Sequence, residues 1–247
     1  MRRRDLLIAT AALVAVWQTM AWLVSSSILP GPVRVAEVLI RELPRGLGRH
    51  FLASAGRVAA SMVIAVSLAT PLGLILGQSR KLNQLLSPVV YVLYPIPKIV
   101  FLPLILLLLG IGNTSKVFII TLILFFQVLV VVRDEAATLR PELIHSVRSL
   151  GAGRRALFRH VYLPASLPAV LTALRLSVGT AVAVLYVAEL FATRLGLGYY
   201  IYLNGSTLFN YRAMYAGILA MSLLGLGLYF LVDWLERAAT PYRFVEQ

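Results

Sequence analysis

The fold this sequence predicts is an all-α membrane protein of six transmembrane helices, and three observations carry the prediction. Hydrophobic residues make up 60% of the 247-residue chain against 13% charged, with a mean hydropathy of +0.85, well above that of a soluble globular domain. Six apolar runs recur, near residues 6–26, 58–77, 85–109, 117–132, 165–191 and 213–235. The polar stretches between them are too short for a separate soluble domain, so residues 1–247 read as a single transmembrane domain. The net charge of +13 falls mostly between the runs, where basic residues set orientation, which argues against a nucleic-acid partner. The absence of cysteine excludes disulfides, thiolate catalysis and thiolate metal sites.

The first run follows Arg2-Arg3-Arg4-Asp5, which superficially looks like a twin-arginine export signal. It is long enough to span, shows no convincing small-residue cleavage site and precedes further spans, so it reads as an uncleaved first helix. Leu29-Pro30-Gly31-Pro32 then makes a turn into an amphipathic helix with Val35, Val38, Leu39 and Leu43 on one face, expected at the outer interface. With the N-terminus inside, thirteen basic residues fall in inner loops: Arg2, Arg3, Arg4, Arg80, Lys81, Arg133, Arg140, Arg148, Arg154, Arg155, Arg159, Arg237 and Arg243. Seven fall outside, at Arg34, Arg41, Arg45, Arg49, Lys116, Arg194 and Arg212. That bias predicts cytoplasmic N- and C-termini.

The third run is the anomalous one. Tyr94-Pro95-Ile96-Pro97-Lys98 and then Pro103 lie where the chain should cross the bilayer, and each proline removes a backbone donor and clashes with the preceding turn. A broken span at membrane depth lines a cavity or packs in protein, so Pro95, Pro97 and Lys98 are candidate pathway residues; a kinked structural helix is the alternative. Glu189 and Arg175 are the other ionisable candidates within spans. Lys98 is placed to attract an anion or to pair with Glu189, while Arg175 equally suits snorkelling to the inner interface.

Enzyme signatures are missing. The chain has no Gly-x-Ser-x-Gly, no His-Glu-x-x-His and no carboxylate pair at helical spacing inside the membrane, and His50, His145 and His160 read as solvated loop residues. Gly110-Ile111-Gly112-Asn113-Thr114-Ser115-Lys116 is only faintly like a phosphate-binding loop, since no glycine precedes the lysine. This chain therefore reads as a non-enzyme with no metal site and no bound cofactor, and ATP-driven work needs a separate subunit.

Between residues 133 and 164 lies a basic loop. Pro141 is placed to open a helix with Leu143, Ile144, Val147 and Leu150 on one face and His145, Arg148 and Ser149 elsewhere. Gly151 sits where a helix-ending glycine belongs, followed by Ala152. A second amphipathic piece, 154–162, carries Leu157, Phe158 and Val161 together with Arg154 and Arg155, and Leu163-Pro164 turns the chain back. The product is a glycine-hinged knob that suits a groove on a cytoplasmic partner or, equally on these grounds, an anionic lipid surface.

The spacing Gly151-x9-Val161-x-Leu163-Pro164 resembles the loop of permease subunits of binding-protein-dependent ABC importers, although His145, Ser146 and Val147 replace its Glu-Ala-Ala. Leu29-Pro30-Gly31-Pro32, Ser54-x2-Arg57, the 73–77 glycine pair, Pro95-Ile96-Pro97-Lys98, Leu102-Pro103-Leu104, Gly110-Ile111-Gly112-x3-Lys116 and Gly196-Leu197-Gly198-Tyr199 are similar to the nitrate/sulfonate/taurine branch, in order along nearly the whole chain. The resemblance implies a type I importer permease in the bacterial-type inner membrane, paired with a second permease chain. It also implies two ABC ATPase subunits holding ATP and magnesium and an extracytoplasmic substrate-binding protein. His145, Arg148, Ser149, Gly151, Ala152, Arg154, Arg155, Phe158, Leu163 and Pro164 then belong to a coupling helix, and the solute is a small anion. An ATPase-independent channel or secondary carrier is the alternative that the broken span leaves open.

Overall fold

The computed structural model describes residues 3–191 and 193–240, so Arg2 and Arg243 of the orientation count lie outside the described residues. Helices and short connectors make up these residues, with no strand among them. Five helical segments are long and apolar enough to cross a membrane, and Arg80–Leu93 with Lys98–Leu109, bent by 76°, makes a sixth where the pair counts as one span. The chain divides into two compact units, Met1–Ala55 with Glu189–Leu224, and Gly56–Ala188 with Gly225–Gln247.

In the second unit α3 (Gly48–Gln78) packs against α6 (Asn113–Ala137). Ala69, Leu74 and Leu76 meet Val128, Leu129, Val132 and Ala136 in a core that also takes Val170 and Ala173 of α9 (Leu163–Leu190). Lipid offers no hydrophobic drive between helices, so close backbone approach through small residues has to supply the contact. Gly73 and Gly77, one turn apart, do this: a Cβ at Gly77 would lie 2.5 Å from the Arg133 carbonyl oxygen and 2.6 Å from Ala136 Cβ, and one at Gly73 would lie 2.9 Å from Val132 Cβ. The Gln78 side-chain amide closes the lower end by donating to the Ala136 carbonyl.

Helix α6 is longer than its apolar run at both ends, which corrects the loop count of cations. Lys116 and Arg133 lie inside the helix at 1% and 3% exposure. Arg133 is satisfied by the Asp134 carboxylate at 2.7 Å, the Tyr91 hydroxyl at 3.0 Å and the face of the Tyr91 ring. The helix extends because these polar groups bind back onto protein instead of water.

In the first unit, α1 (Arg3–Val24) precedes α2 (Pro32–Glu42), and Trp17 Nε1 of α1 donates to the Pro30 carbonyl at 3.2 Å. The amphipathic face of α2 does not rest on lipid as its sequence suggests. Val35 and Val38 are buried against Ala213 and Ala216 of α11 (Tyr211–Ala239), whose small side chains leave a seat, while Leu43 stays exposed. A wide turn over Leu43–Leu47 then leads straight into α3, well before the apolar run at 58.

The contact at Gly77 predicts that Gly77→Ala lowers the thermal stability of the detergent-solubilised protein, by about 1–3 kcal/mol for an overpacked contact against backbone. Gly227→Ala, where a Cβ meets nothing within 4 Å, is the control and should be neutral or slightly stabilising. Equal melting of the two variants would show that the helices have room to part.

Candidate functional site

The broken span is assembled from α4 (Arg80–Leu93), a 3-10 turn at Lys98–Phe101 and α5 (Leu102–Leu109), and its two halves meet at 76°. Pro97 has no N–H to give the Leu93 carbonyl, and Pro95 none for Tyr91, so the end of α4 loses two helical donors, and the Leu93 carbonyl keeps only the Ile96 N–H at 3.3 Å from the backbone. Lys98 supplies what the prolines withhold. Its Nζ donates to the carbonyls of Leu93 at 2.9 Å, Tyr94 at 3.1 Å and Ile96 at 3.3 Å, and sits 4.3 Å over the Phe126 ring. An ammonium has three donors and all are engaged here, at the negative end of the α4 dipole.

Arg175, midway along α9, does more than snorkel. Its guanidinium lies 2.7 Å from Asp233 Oδ1 and 3.2 Å from Glu236 Oε2 on α11. Thr172 donates to Glu236 at 2.9 Å, and Arg237 closes on Asp233 at 3.0 Å. Sequence reading missed both carboxylates. Asp233 lies inside the last apolar run and Glu236 just past it, and the Asp233-x2-Glu236-Arg237 spacing on one helical face was the available signal.

Glu189 is fully buried in the first unit. It accepts from Ser54 Oγ at 2.8 Å and from the Gly198 N–H at 2.8 Å, while Ser54 Oγ accepts from the Leu197 N–H at 2.8 Å. A carboxylate thus sits at the start of α10 (Leu197–Tyr202), and Gly196 is required beside it because a Cβ there would lie 2.4 Å from Glu189 Cδ. His50, expected in solvent, is half-buried against Tyr199 and Tyr200 and accepts from the Gly196 N–H at 3.0 Å. On the same helix Arg57, in the second unit, donates to Asn113 at 2.9 Å, so Ser54-x2-Arg57 ties down two separate loops.

The knob comprises α7 (Pro141–Ser149), a turn at Leu150–Gly153, α8 (Arg154–Leu157) and a π-helical turn at Phe158–Tyr162. Gly151 has φ +81, a left-handed conformation that a side chain disfavours, and its N–H donates to the Arg148 carbonyl. Two expectations are corrected. Leu143 and Leu150 do not anchor the knob: they are 48% and 85% exposed, and Leu157 and Val161 are the buried pair. Leu163-Pro164 does not turn the chain, because the π turn before it takes up the register that Pro164 disrupts, and helix runs unbroken from Arg154 to Leu190. His145, Arg148, Ser149, Ala152, Arg154 and Arg155 are all brought to this one knob, at least partly open to solvent, with Phe158 packed on the α3–α6 core.

Five long apolar helices, a proline-broken pair that can make a sixth crossing, and a glycine-hinged knob fit a subunit of a membrane transporter. Residues 69–241 match the family of the binding-protein-dependent transport system inner membrane component, and the chain belongs to that family. It is 33% identical over 240 residues to the taurine transport system permease protein TauC of Escherichia coli (strain K12), covering 94% of this chain and 87% of that one. It is 26% identical over 243 residues to the nitrate import permease protein NrtB of Synechococcus elongatus, covering 92% and 86%. The fold matches inward-facing structures of the MetNI methionine ABC transporter with a TM-score of 0.66 at 21% identity, over 78% of this chain and 96% of that chain. The protein is thus a multi-pass inner-membrane component with the type I ABC importer permease fold.

Two variants test these assignments. Glu189→Ala strands the Ser54 hydroxyl and the Gly198 N–H, and thermal unfolding should show a loss of about 2–4 kcal/mol, with Glu189→Gln milder because it keeps an acceptor. Arg175→Met removes the guanidinium that faces Asp233 and the 3%-exposed Glu236 and should cost about 3 kcal/mol, largely recovered when Asp233→Asn and Glu236→Gln are added. A triple variant as unstable as the single one would refute the pairing.

Proposed function

We propose that this chain is the transmembrane subunit of an ATP-driven importer that passes a small anionic solute, of the sulfonate, taurine or nitrate kind, into the cytoplasm. The solute class is supported by TauC and NrtB, whose printed names are taurine transport and nitrate import. The family description supports delivery by an extracytoplasmic binding protein. In this reading a second permease chain completes the pathway, two ABC ATPase subunits dock beneath it with their own ATP and magnesium, and both termini are cytoplasmic.

The observation that carries the coupling role is mechanical. Leu150, 85% exposed beside a left-handed Gly151, is a side chain that water disfavours and a partner groove would bury. His145, Ser149, Ala152, Arg155 and Arg159, on the same knob and at least partly open to solvent, belong to the docking face. Behind it the helix from Arg154 to Leu190 is continuous and is tied at Arg175 to α11, so displacement of the knob moves a rigid lever rather than a loose loop. A rigid-body tilt of this kind is how packed helices alternate access around a fixed site. The bent span at Pro95 and Pro97 is the pathway element; Lys98 holds its shape, and Glu189 braces the loop before α10. A carrier working without an ATPase would have no use for the knob.

Gly151→Val in the assembled transporter tests the reading. ATP hydrolysis stimulated by the loaded binding protein, or retention of the ATPase subunit, should fall by at least about tenfold, the size of an interface hot spot. Permease melting should fall only by the local strain of a side chain at φ +81, about 1–3 kcal/mol. Undiminished transport, or transport by a purified permease without any ATPase subunit, would sink the proposal.

A further inference from the structure

Beside the knob lies a groove of about 430 Å³, within the range of small-ligand sites. Leu74, Ile75, Leu82 and Phe158 give it apolar wall, and Arg148 and Arg154 give it charge. None of its lining residues is acidic, and neither arginine has a carboxylate partner among the described residues. Ser79, also at the groove, caps the start of α4, accepting from the Leu82 N–H at 3.4 Å, so the positive end of a 14-residue helix opens on the same space. Two unpaired guanidinium groups and a helix N-terminus specify an anion with several oxygens, and a phosphate ester fits them.

The apolar wall decides which phosphate. The spanning run of α3 ends at Gly77, so Leu74 and Ile75 are the last turn of membrane segment, and Gln78 and Ser79 are its first polar residues. Phe158 and Tyr162 hold the matching position ahead of the α9 span, where aromatic residues sit at the headgroup level. The groove therefore straddles the boundary at which an acyl chain becomes a headgroup. We propose that it binds an anionic phospholipid, with the phosphate on Arg148 and Arg154 and an acyl chain along Ile75, Leu82 and Phe158. This divides the basic loop: Arg155 and Arg159, which do not line the groove, stay on the docking face, while Arg148 and Arg154 fix the base of the knob to the bilayer. The inference goes beyond the transport reading and requires no particular solute.

The test uses the purified permease–ATPase complex, exposed to equal amounts of phosphatidylglycerol and phosphatidylcholine, with the lipid retained after washing measured by mass spectrometry. Wild type should retain phosphatidylglycerol preferentially. Arg148→Gln with Arg154→Gln should lower that retention by roughly thirtyfold, at about fivefold per cation near a lipid surface. The Arg155→Gln, Arg159→Gln pair should keep its lipid. Wild-type retention by the Arg148/Arg154 glutamine pair overturns the proposal. Loss of the ATPase subunit from that pair with lipid still bound also overturns it, by moving both arginines to the docking face while leaving the coupling role intact. Displacement by millimolar inorganic phosphate would make the ligand a soluble phosphate instead. Should the glutamine pair fail to fold, Arg148→Lys with Arg154→Lys reads the same charge: retention must fall with rising salt, and retention indifferent to salt refutes the site.

Discussion

Three carbonyl oxygens gripped by one ammonium hold the middle of this protein together. Pro97 takes the helical donor from the Leu93 carbonyl, and Lys98 reaches back to it and to the Tyr94 and Ile96 carbonyls in the turn that follows. Only with that clamp can the span turn through 76° and lay its second half toward α6, whose Phe126 ring faces the same ammonium. The rule recurs wherever the helix ladder is interrupted. Ser115 takes the Gly110 and Gly112 carbonyls before α6, and the Gln78 amide takes the Ala136 carbonyl where α6 ends. These polar side chains, which look out of place in an apolar chain, are bonded to backbone carbonyls at the ends of helices.

The motif blocks by which the chain resembles the nitrate/sulfonate/taurine branch take on a common meaning in this light. Gly73 and Gly77 let two helices touch backbone to backbone; Gly196 makes room for Glu189; Asn113 receives Arg57 at the head of α6. These residues govern how chain segments approach one another and do not form a solute-binding set. Relatives named for taurine and for nitrate can therefore share the frame.

Much of this architecture was legible in the sequence because it is compositional. Runs of apolar residues give the crossings, the three prolines between 95 and 103 in one run give the break, and a glycine at fixed distance from Leu163-Pro164 gives the knob. What stayed hidden are pairings between residues far apart in the chain. Ser54 and Glu189 are 135 positions apart and Arg175 and Asp233 are 58, so no local pattern betrays that either charge is answered. The amphipathic faces misled for a related reason: periodicity marks which side of α2 or α7 is apolar without saying what covers it. For α2 the cover is a pair of alanines on α11, whereas α7 keeps Leu143 and Leu150 in the open. Counting charges by loop failed at Lys116 and Arg133 because helix propagation past an apolar run depends on local polar anchors that hydropathy does not see.

The ion cluster joining α9 to α11 also bears on how the chain enters the bilayer during synthesis. Arg175 emerges from the ribosome ahead of Asp233 and Glu236, and an arginine at the centre of a lone helix costs about 2.5–3.5 kcal/mol to insert. Helix α9 carries enough leucine, valine and alanine to enter on its own, but with an unanswered cation it has reason to linger at the insertion machinery. The carboxylates of α11 relieve that cost as they arrive. The last two long helices are thus best released into lipid as a pair, and truncating the chain before residue 233 would strand a charge as well as remove a helix.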